Sequence, residues 1–233
     1  MKDDIFLNDR SCIKMGLLPV KPPVIPTPKK RYNEVSIPGR DGVFYEDLGT
    51  YDDITLPVEF NFCSKDKTVD QRFRYYRNVL FKAKELMRSS DPDMFFKIKK
   101  IDIGDLDRGT SDTIGTFQCD FTLDPYAYLR SGKEKLSLSR VLYNPYALCH
   151  PTYYLTGEGN CEIKVNGIIA ACNVTGTVII DTDLQLCYRE DGSLINTELS
   201  SNYDDMYLLP GKNGIEVSDG FDIQIVPNWR TAA

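Results

Sequence analysis

The sequence predicts a mainly β protein of two domains, with a single long α-helix in the first. Most apolar stretches alternate with polar residues in steps of two, which is typical of half-buried strands. Only residues 68–88 repeat apolar side chains at steps of three and four, as one face of a helix does. In the second half, short apolar runs are separated by turn signals such as Asn166-Gly167 and Asp191-Gly192, a pattern that favours a sandwich.

The composition is that of an ordinary globular protein. The 233 residues are 42% hydrophobic and 27% charged, and a chain of this length can bury a sizeable core. No apolar run is long enough to span a bilayer, so no membrane segment is expected. The first four residues, Met-Lys-Asp-Asp, lack the basic-then-apolar order of a signal peptide, which indicates folding in a cytoplasm.

The first half begins with predicted strands on either side of a proline-rich segment. Residues 19–28 contain too many prolines for a helix or a central strand, so they predict an extended arm or edge. Their PxxP spacing beside Lys29, Lys30 and Arg31 also matches an SH3-type ligand, an alternative that arises often by chance. The other strands predicted in this half are 5–7, 12–18, 32–37, 43–45, 54–62, 94–103 and 114–123. Pro57 indicates that strand 54–62 has an edge or a bulge.

The helix is predicted over residues 68–88. Thr68 occupies the N-cap position, and Gln71 three residues later completes a capping box. Pro92 disfavours helical backbone at the residue before it, so the helix is expected to stop before that point. The apolar stripe that should cover a sheet consists of Phe73, Tyr76, Leu80, Ala83 and Met87.

A second, largely basic stripe lies beside the first on the predicted helix. It consists of Arg74, Arg77, Phe81, Lys84 and Arg88. From Lys65 to Arg88 there are eight basic residues against three acidic ones. Such a stripe is usually a solvated face. The alternative is a docking face for an acidic surface, and the apolar Phe81 among the charges favours that alternative.

The second half is predicted to be all β and is acidic. We place the domain boundary between residues 132 and 133, in a segment of small and charged residues. Residues 136–233 contain five Lys or Arg against twelve Asp or Glu, a net charge of −7, whereas the rest of the chain carries +1. An acidic half argues against binding to a nucleic-acid backbone.

Little in the sequence indicates site chemistry. The seven cysteines are dispersed without a CxxC pair, and with a single histidine a zinc site is not expected. Asp181 and Asp183 could hold a divalent ion, but no third acidic residue lies nearby. Cys149 and His150 point to opposite sides of an extended chain, so they do not form a nucleophile–base pair. We therefore predict no catalytic residue, no cofactor and no metal.

Two sets of motifs resemble a known family when their order along the chain is considered. The first is Ile37-Pro38-Gly39-Arg40-Asp41-Gly42, followed by the segment Leu48–Ile54 and the alternating strand. The second contains the turns Gly157-Glu158-Gly159 and Val165-Asn166-Gly167, then Ile179–Asp183, Leu209–Asn213 and Pro227–Arg230. Together they resemble the distal tail proteins of bacteriophages with long, non-contractile tails.

The resemblance implies an amino-terminal domain (1–132) like a tail-tube protein, a β-barrel or sandwich, and a carboxyl-terminal galectin-like β-sandwich (133–233). It further implies a homo-hexameric ring in the virion tail that lets DNA pass without specific binding, and that is assembled in the host cytoplasm. The expected partners are the tail tube protein, the tail-tip protein of the baseplate and receptor-binding proteins. A carbohydrate-binding module for adhesion is the alternative function. The residues expected at interfaces are Arg40, Asp41, Arg74, Arg77, Phe81, Lys84 and Arg88.

Overall fold

The structure is a computed structural model that describes residues 3–65, 67–109, 113–137 and 141–233. These residues form one α-helix and seventeen strands, which confirms the prediction of a mainly β protein with one helix. The elements in chain order are β1 (Ile5–Leu7), β2 (Arg10–Ser11), β3 (Leu17–Pro19), β4 (Lys30–Val35), β5 (Phe44–Tyr51), β6 (Ile54–Cys63), α1 (Val69–Leu80), β7 (Glu85–Arg88), β8 (Asp91–Ile103), β9 (Ile114–Leu129), β10 (Leu136–Ser137), β11 (Val141–Asn144), β12 (Thr152–Val165), β13 (Ile168–Asp181), β14 (Leu186–Arg189), β15 (Gly211–Val217), β16 (Asp222–Val226) and β17 (Arg230–Ala232). None of the described helices has both the length and the apolar character that a membrane crossing requires.

The chain divides into two compact units. The first runs to Ala127 and includes Ala232–Ala233, and the second is Tyr128–Thr231. The division lies five residues before the boundary expected from the sequence. Strands β9 and β17 each continue from one unit into the other.

The first unit is built on a sheet with the order β2-β1-β7-β8-β9-β6-β3. Along β6 the side chains alternate between core and solvent, as the sequence predicts. The helix packs on this sheet through aromatic contacts, since the Tyr76 ring lies 5.2 Å from that of Phe62. Pro57 pairs with β9, while β3 reaches β6 only at Phe60–Phe62. Pro57 therefore lies on an edge part of β6, which agrees with its missing amide hydrogen.

The helix is shorter than predicted, because α1 ends at Leu80 rather than at residue 88. Its start is correct: Thr68 accepts from the Gln71 amide, and the Gln71 side chain accepts from the Thr68 amide. Residues 85–88 instead form strand β7, which pairs with both β1 and β8. The predicted strand 12–18 is correct only at Leu17 and Leu18, which lie in β3, whereas residues 12–16 form turns between β2 and β3.

Pairing with β1 explains why the helix stops. The Asn8 side chain accepts hydrogen bonds from the amides of Lys84 and Glu85, at 2.8 and 3.1 Å, and donates one to the carbonyl of Lys82. These contacts direct the backbone into β7. Continued helix would lose the β7 ladder, so long-range pairing overrides a local periodicity that still favours helix at Ala83.

The second unit is built around the long hairpin of β12 and β13. Asn166 and Gly167 form its turn with φ of 50° and 93°, as the Asn-Gly signal predicts. Residues 152–156 of β12 pair with β16, whereas residues 163–165 pair with β15. The predicted turn at 157–159 is wrong, because these residues continue β12, and Gly157 lies opposite Gly176 of β13.

Candidate interaction surfaces

The predicted basic stripe does not form one helical face. Arg74, Arg77 and the C-cap residue Phe81 remain on or beside α1, but Lys84 follows the helix and Arg88 lies in β7. Arg74, Arg77 and Lys84 are exposed, while Arg88 is half-buried. The stripe is therefore interrupted at Phe81, and the structure does not bring its five members together as the sequence suggested.

What remains on α1 still offers an apolar and basic surface. Phe81 is 52% exposed and Tyr75 is 48% exposed, which is high for aromatic side chains. The Arg77 guanidinium lies 5.7 Å from the centre of the Phe73 ring, a cation–π contact that fixes one of the charges.

A groove lies between α1 and the β1–β2 turn, and we call it the α1 groove. Its volume is about 530 Å³. It is lined by Leu7, Asn8, Arg10, Tyr75, Asn78, Val79, Lys82 and Ala83. Leu7 and Ala83 are buried and form an apolar floor, while Arg10 and Lys82 supply two cations. None of these eight lining residues carries a carboxylate, so the character of the groove they form is basic and apolar.

Strands β4 and β5 form a two-stranded ribbon that pairs with no other described strand. Its residues are exposed on both faces except for Tyr51, which is half-buried. Val35 lies directly opposite Phe44, and Ile37 and Val43 follow on either side of the turn. These four, which we call the ribbon tip, are 37–51% exposed.

The predicted interface residues Arg40 and Asp41 lie in the turn at the end of this ribbon, and both are exposed. Gly39 and Gly42 on either side have φ of 76° and 79°, values that favour glycine. The turn therefore holds the two charged side chains next to the ribbon tip. Sequence reasoning placed the turn correctly but missed the length of β5, because the pattern of residues 46–50 is polar.

Cys149 and His150 have separate structural roles. The buried Cys149 thiol donates to the carbonyl of Ala147 at 3.2 Å, not to the imidazole. Nδ1 of His150 lies 3.0 Å from Asp183, and an Arg230 amino group lies 2.8 Å from its Nε2. The imidazole also stacks on Tyr207, with ring centres 4.0 Å apart. This arrangement anchors β17, and the neighbouring Cys149 thiol is bonded to the Ala147 carbonyl instead of the imidazole.

The sequence also offered Asp181 and Asp183 as a metal site and a carbohydrate-binding module as an alternative function. Asp181 accepts from the amides of Asp183 and Leu184, so its carboxylate closes a turn. Within the described residues no group of three His, Cys, Asp or Glu side chains could hold a metal ion. A groove of about 550 Å³ lies in the second unit, and its lining includes Tyr154, Phe221 and Asp222.

Comparisons with known proteins give the fold. No protein-family model matches the chain, and no curated protein matches it. The Dit (gp 19.1) protein of phage SPP1, described as a paradigm of the hub adsorption apparatus in phages that infect Gram-positive hosts, has a similar structure, with a TM-score of 0.61 and 15% identity. That similarity covers 97% of this chain and 98% of the SPP1 protein.

A chain of the phage p2 baseplate in its activated conformation is also similar. Its TM-score is 0.50 at 9% identity, over 96% of this chain and 97% of that one. The chain therefore has a Dit-like distal tail protein fold over almost its whole length, as the motif order suggested.

Proposed function

We propose that this chain forms a closed ring of six copies in a phage tail, and that the ring joins the tail tube to the baseplate or tail-tip protein. In this proposal the first unit builds the ring around the channel, and the second is a galectin-like sandwich that faces outward. DNA passes through the ring without sequence-specific contact. The similarity over the full length of two phage proteins supports the role, and the ribbon tip supports self-association.

The ribbon tip is the observation that supports self-association most directly. A two-stranded ribbon is marginally stable by itself in water. Here it also exposes four large apolar side chains together, which in monomeric proteins marks an interaction site. A neighbouring subunit that covers the tip would stabilise the ribbon and would remove its apolar side chains from water. Arg40 and Asp41 would then lie at the rim of that contact, where charges fix orientation.

Mass photometry over a concentration series tests the ring. Six copies of a 26.5 kDa chain would appear at about 159 kDa. The double variant Val35→Ser/Phe44→Ser should remain monomeric, whereas the control Leu184→Ser, which changes a 64% exposed leucine in the second unit, should assemble. A wild-type chain that stays monomeric at every concentration, and forms no ring in virions, would refute the proposal.

A lectin-like module is the second candidate, and the groove at Tyr154 favours it. An aromatic ring beside the carboxylate of Asp222 and the amide of Gln224 offers both stacking and hydrogen bonds to a sugar. Binding of the wild-type chain on a glycan array, lost in Asp222→Ala, would support this candidate. If the assembled ring binds no glycan, the lectin-like function is excluded and the hub role remains.

We also infer that the chain is not an enzyme. The single histidine is bound on both ring nitrogens, and the neighbouring thiol contacts a backbone carbonyl. Replacement of Cys149 by alanine should leave ring formation intact if the fold survives. A hydrolytic activity that purifies with the ring and disappears in this variant would overturn the inference.

A further inference from the structure

The α1 groove has the properties of a docking site for an acidic segment. Within the described residues neither Arg10 nor Lys82 has a carboxylate within ion-pair distance. Two cations beside a buried apolar floor attract a segment that carries both a carboxylate and an apolar side chain. The floor is formed by Leu7 and Ala83, which are 2% and 3% exposed.

The walls of the groove are rigid, which lowers the entropy cost of docking. Asn8 holds one wall through three side-chain hydrogen bonds to residues 82–85. On the other wall the Tyr75 ring packs edge-on against Tyr76, with ring centres 5.4 Å apart. Tyr76 is itself buried, and its hydroxyl donates to the carbonyl of Met15. The groove is therefore formed before a partner arrives.

The chain itself contains a complementary segment. The turn Glu190–Leu194 follows β14 and presents two acidic residues and a leucine that is 65% exposed. The Asp191 carboxylate accepts from the hydroxyl and the amide of Ser193, and these bonds lower its pKa. The turn therefore has a fixed shape and keeps its negative charge. It belongs to the second unit, where residues 128–231 carry 13 acidic against 8 basic side chains.

We propose that the α1 groove of one copy binds the turn Glu190–Leu194 of a second copy. Leu194 lies on the apolar floor, and Glu190 and Asp191 face Arg10 and Lys82. The contact rests on the proposed function because it requires a neighbouring copy in the ring. It is separate from the ribbon tip, and it joins the basic α1 groove in the first unit of one subunit to the acidic second unit of the next.

A charge exchange tests the contact on the full-length chain. Arg10→Glu and Glu190→Arg should each weaken self-association about tenfold, since a reversed charge opposes its former partner. The combination of both should recover association to near the wild-type value. Lys21→Glu, an exposed reversal outside the groove, serves as the control. Leu194→Ser should weaken association without changing its dependence on salt, because it removes only apolar contact.

Each outcome separates this contact from the ring itself. Melting temperatures close to that of the wild type establish that the variants fold. If Arg10→Glu does not fold, Lys82→Ala provides a second groove variant. Normal rings in Arg10→Glu and in Lys82→Ala would overturn the docking proposal and leave the ring intact. Weakened association that the double variant does not restore would assign the groove to another acidic segment, and would also overturn it. A monomeric wild type would instead refute the ring.

Discussion

Cys172 and Cys187 are buried in the same core of the second unit, where their thiols lie close enough to shift each other's pKa. This proximity is informative because Cys187 pairs across the ladder with Ile180, which lies eight residues along β13 from Cys172. A straight strand would separate those two positions by about 26 Å. The hairpin of β12 and β13 must therefore fold over, and Gly176, with φ of 73°, lies between them. The two halves enclose a single core.

The thiol environment predicts one reactive cysteine in the described part of the chain. Cys63 is exposed, whereas the other six cysteines are buried. Burial raises the pKa of Cys12 and Cys119, and the nearby Cys172 thiol together with burial raises that of Cys187. We expect an aromatic disulfide reagent at pH 8 to label one thiol quickly in native protein and seven after denaturation. Cys63→Ser should abolish the fast reaction, and persistent fast labelling would contradict this account.

The same burial predicts a loss of stability at high pH. Burial raises the pKa of Cys12 and of Tyr153 well above the ordinary values, which are about 8.5 for a thiol and about 10 for a phenol. Above those values the unfolded chain ionises while the folded chain keeps its protons. The contribution is therefore fully present below about pH 8.5 and decreases as the pH rises. Urea unfolding should show a constant midpoint between pH 7 and 8 and a falling one from pH 9 to 11. A midpoint that rises over this upper range would disprove the prediction.

Asn8 should contribute strongly to the stability of the first unit. Its side chain makes three hydrogen bonds to the segment between α1 and β7, and its φ is 48°. Asn8→Ala should lower the free energy of unfolding by about 2–4 kcal/mol, through lost bonds and positive φ. Asn8→Gly keeps the backbone geometry and should lose less. Equal effects of the two substitutions, measured by urea denaturation, would show that the conformation of this residue is unimportant.

The sequence was informative where a signal is local and less so where a distant strand decides. The start of α1 follows from Thr68 and Gln71, and the β12–β13 turn follows from Asn166-Gly167, because each signal acts over a few residues. The end of α1 could not be read in this way. It depends on Asn8 and on pairing with β1, more than seventy residues earlier in the chain.

The surfaces show the same limit. Helical spacing identified the basic residues Arg74 and Arg77, but the α1 groove combines α1 with Arg10 of β2, which lies beside the helix only in the folded chain. The ribbon tip also needs the pairing of Val35 with Phe44 to become one patch. Such juxtapositions depend on tertiary contacts that no local pattern contains.

Gly157 should be intolerant of any side chain because Phe221 occupies the space beside it. A Cβ atom at Gly157 would overlap the Phe221 ring, so either the ring or the strand would have to move. Gly157→Ala should therefore lower the free energy of unfolding by about 1–3 kcal/mol, as overpacking does. Phe221→Leu vacates part of that space, so the double variant should lose less free energy of unfolding than the sum of the two single losses.

Gly159 provides a control for backbone strain alone. A Cβ atom there would have no atom within 4 Å, but the φ of Gly159 is 105°. Additive losses in the Gly157→Ala/Phe221→Leu cycle, measured by thermal and urea unfolding, would show that strain at the backbone rather than contact with Phe221 determines the choice of glycine.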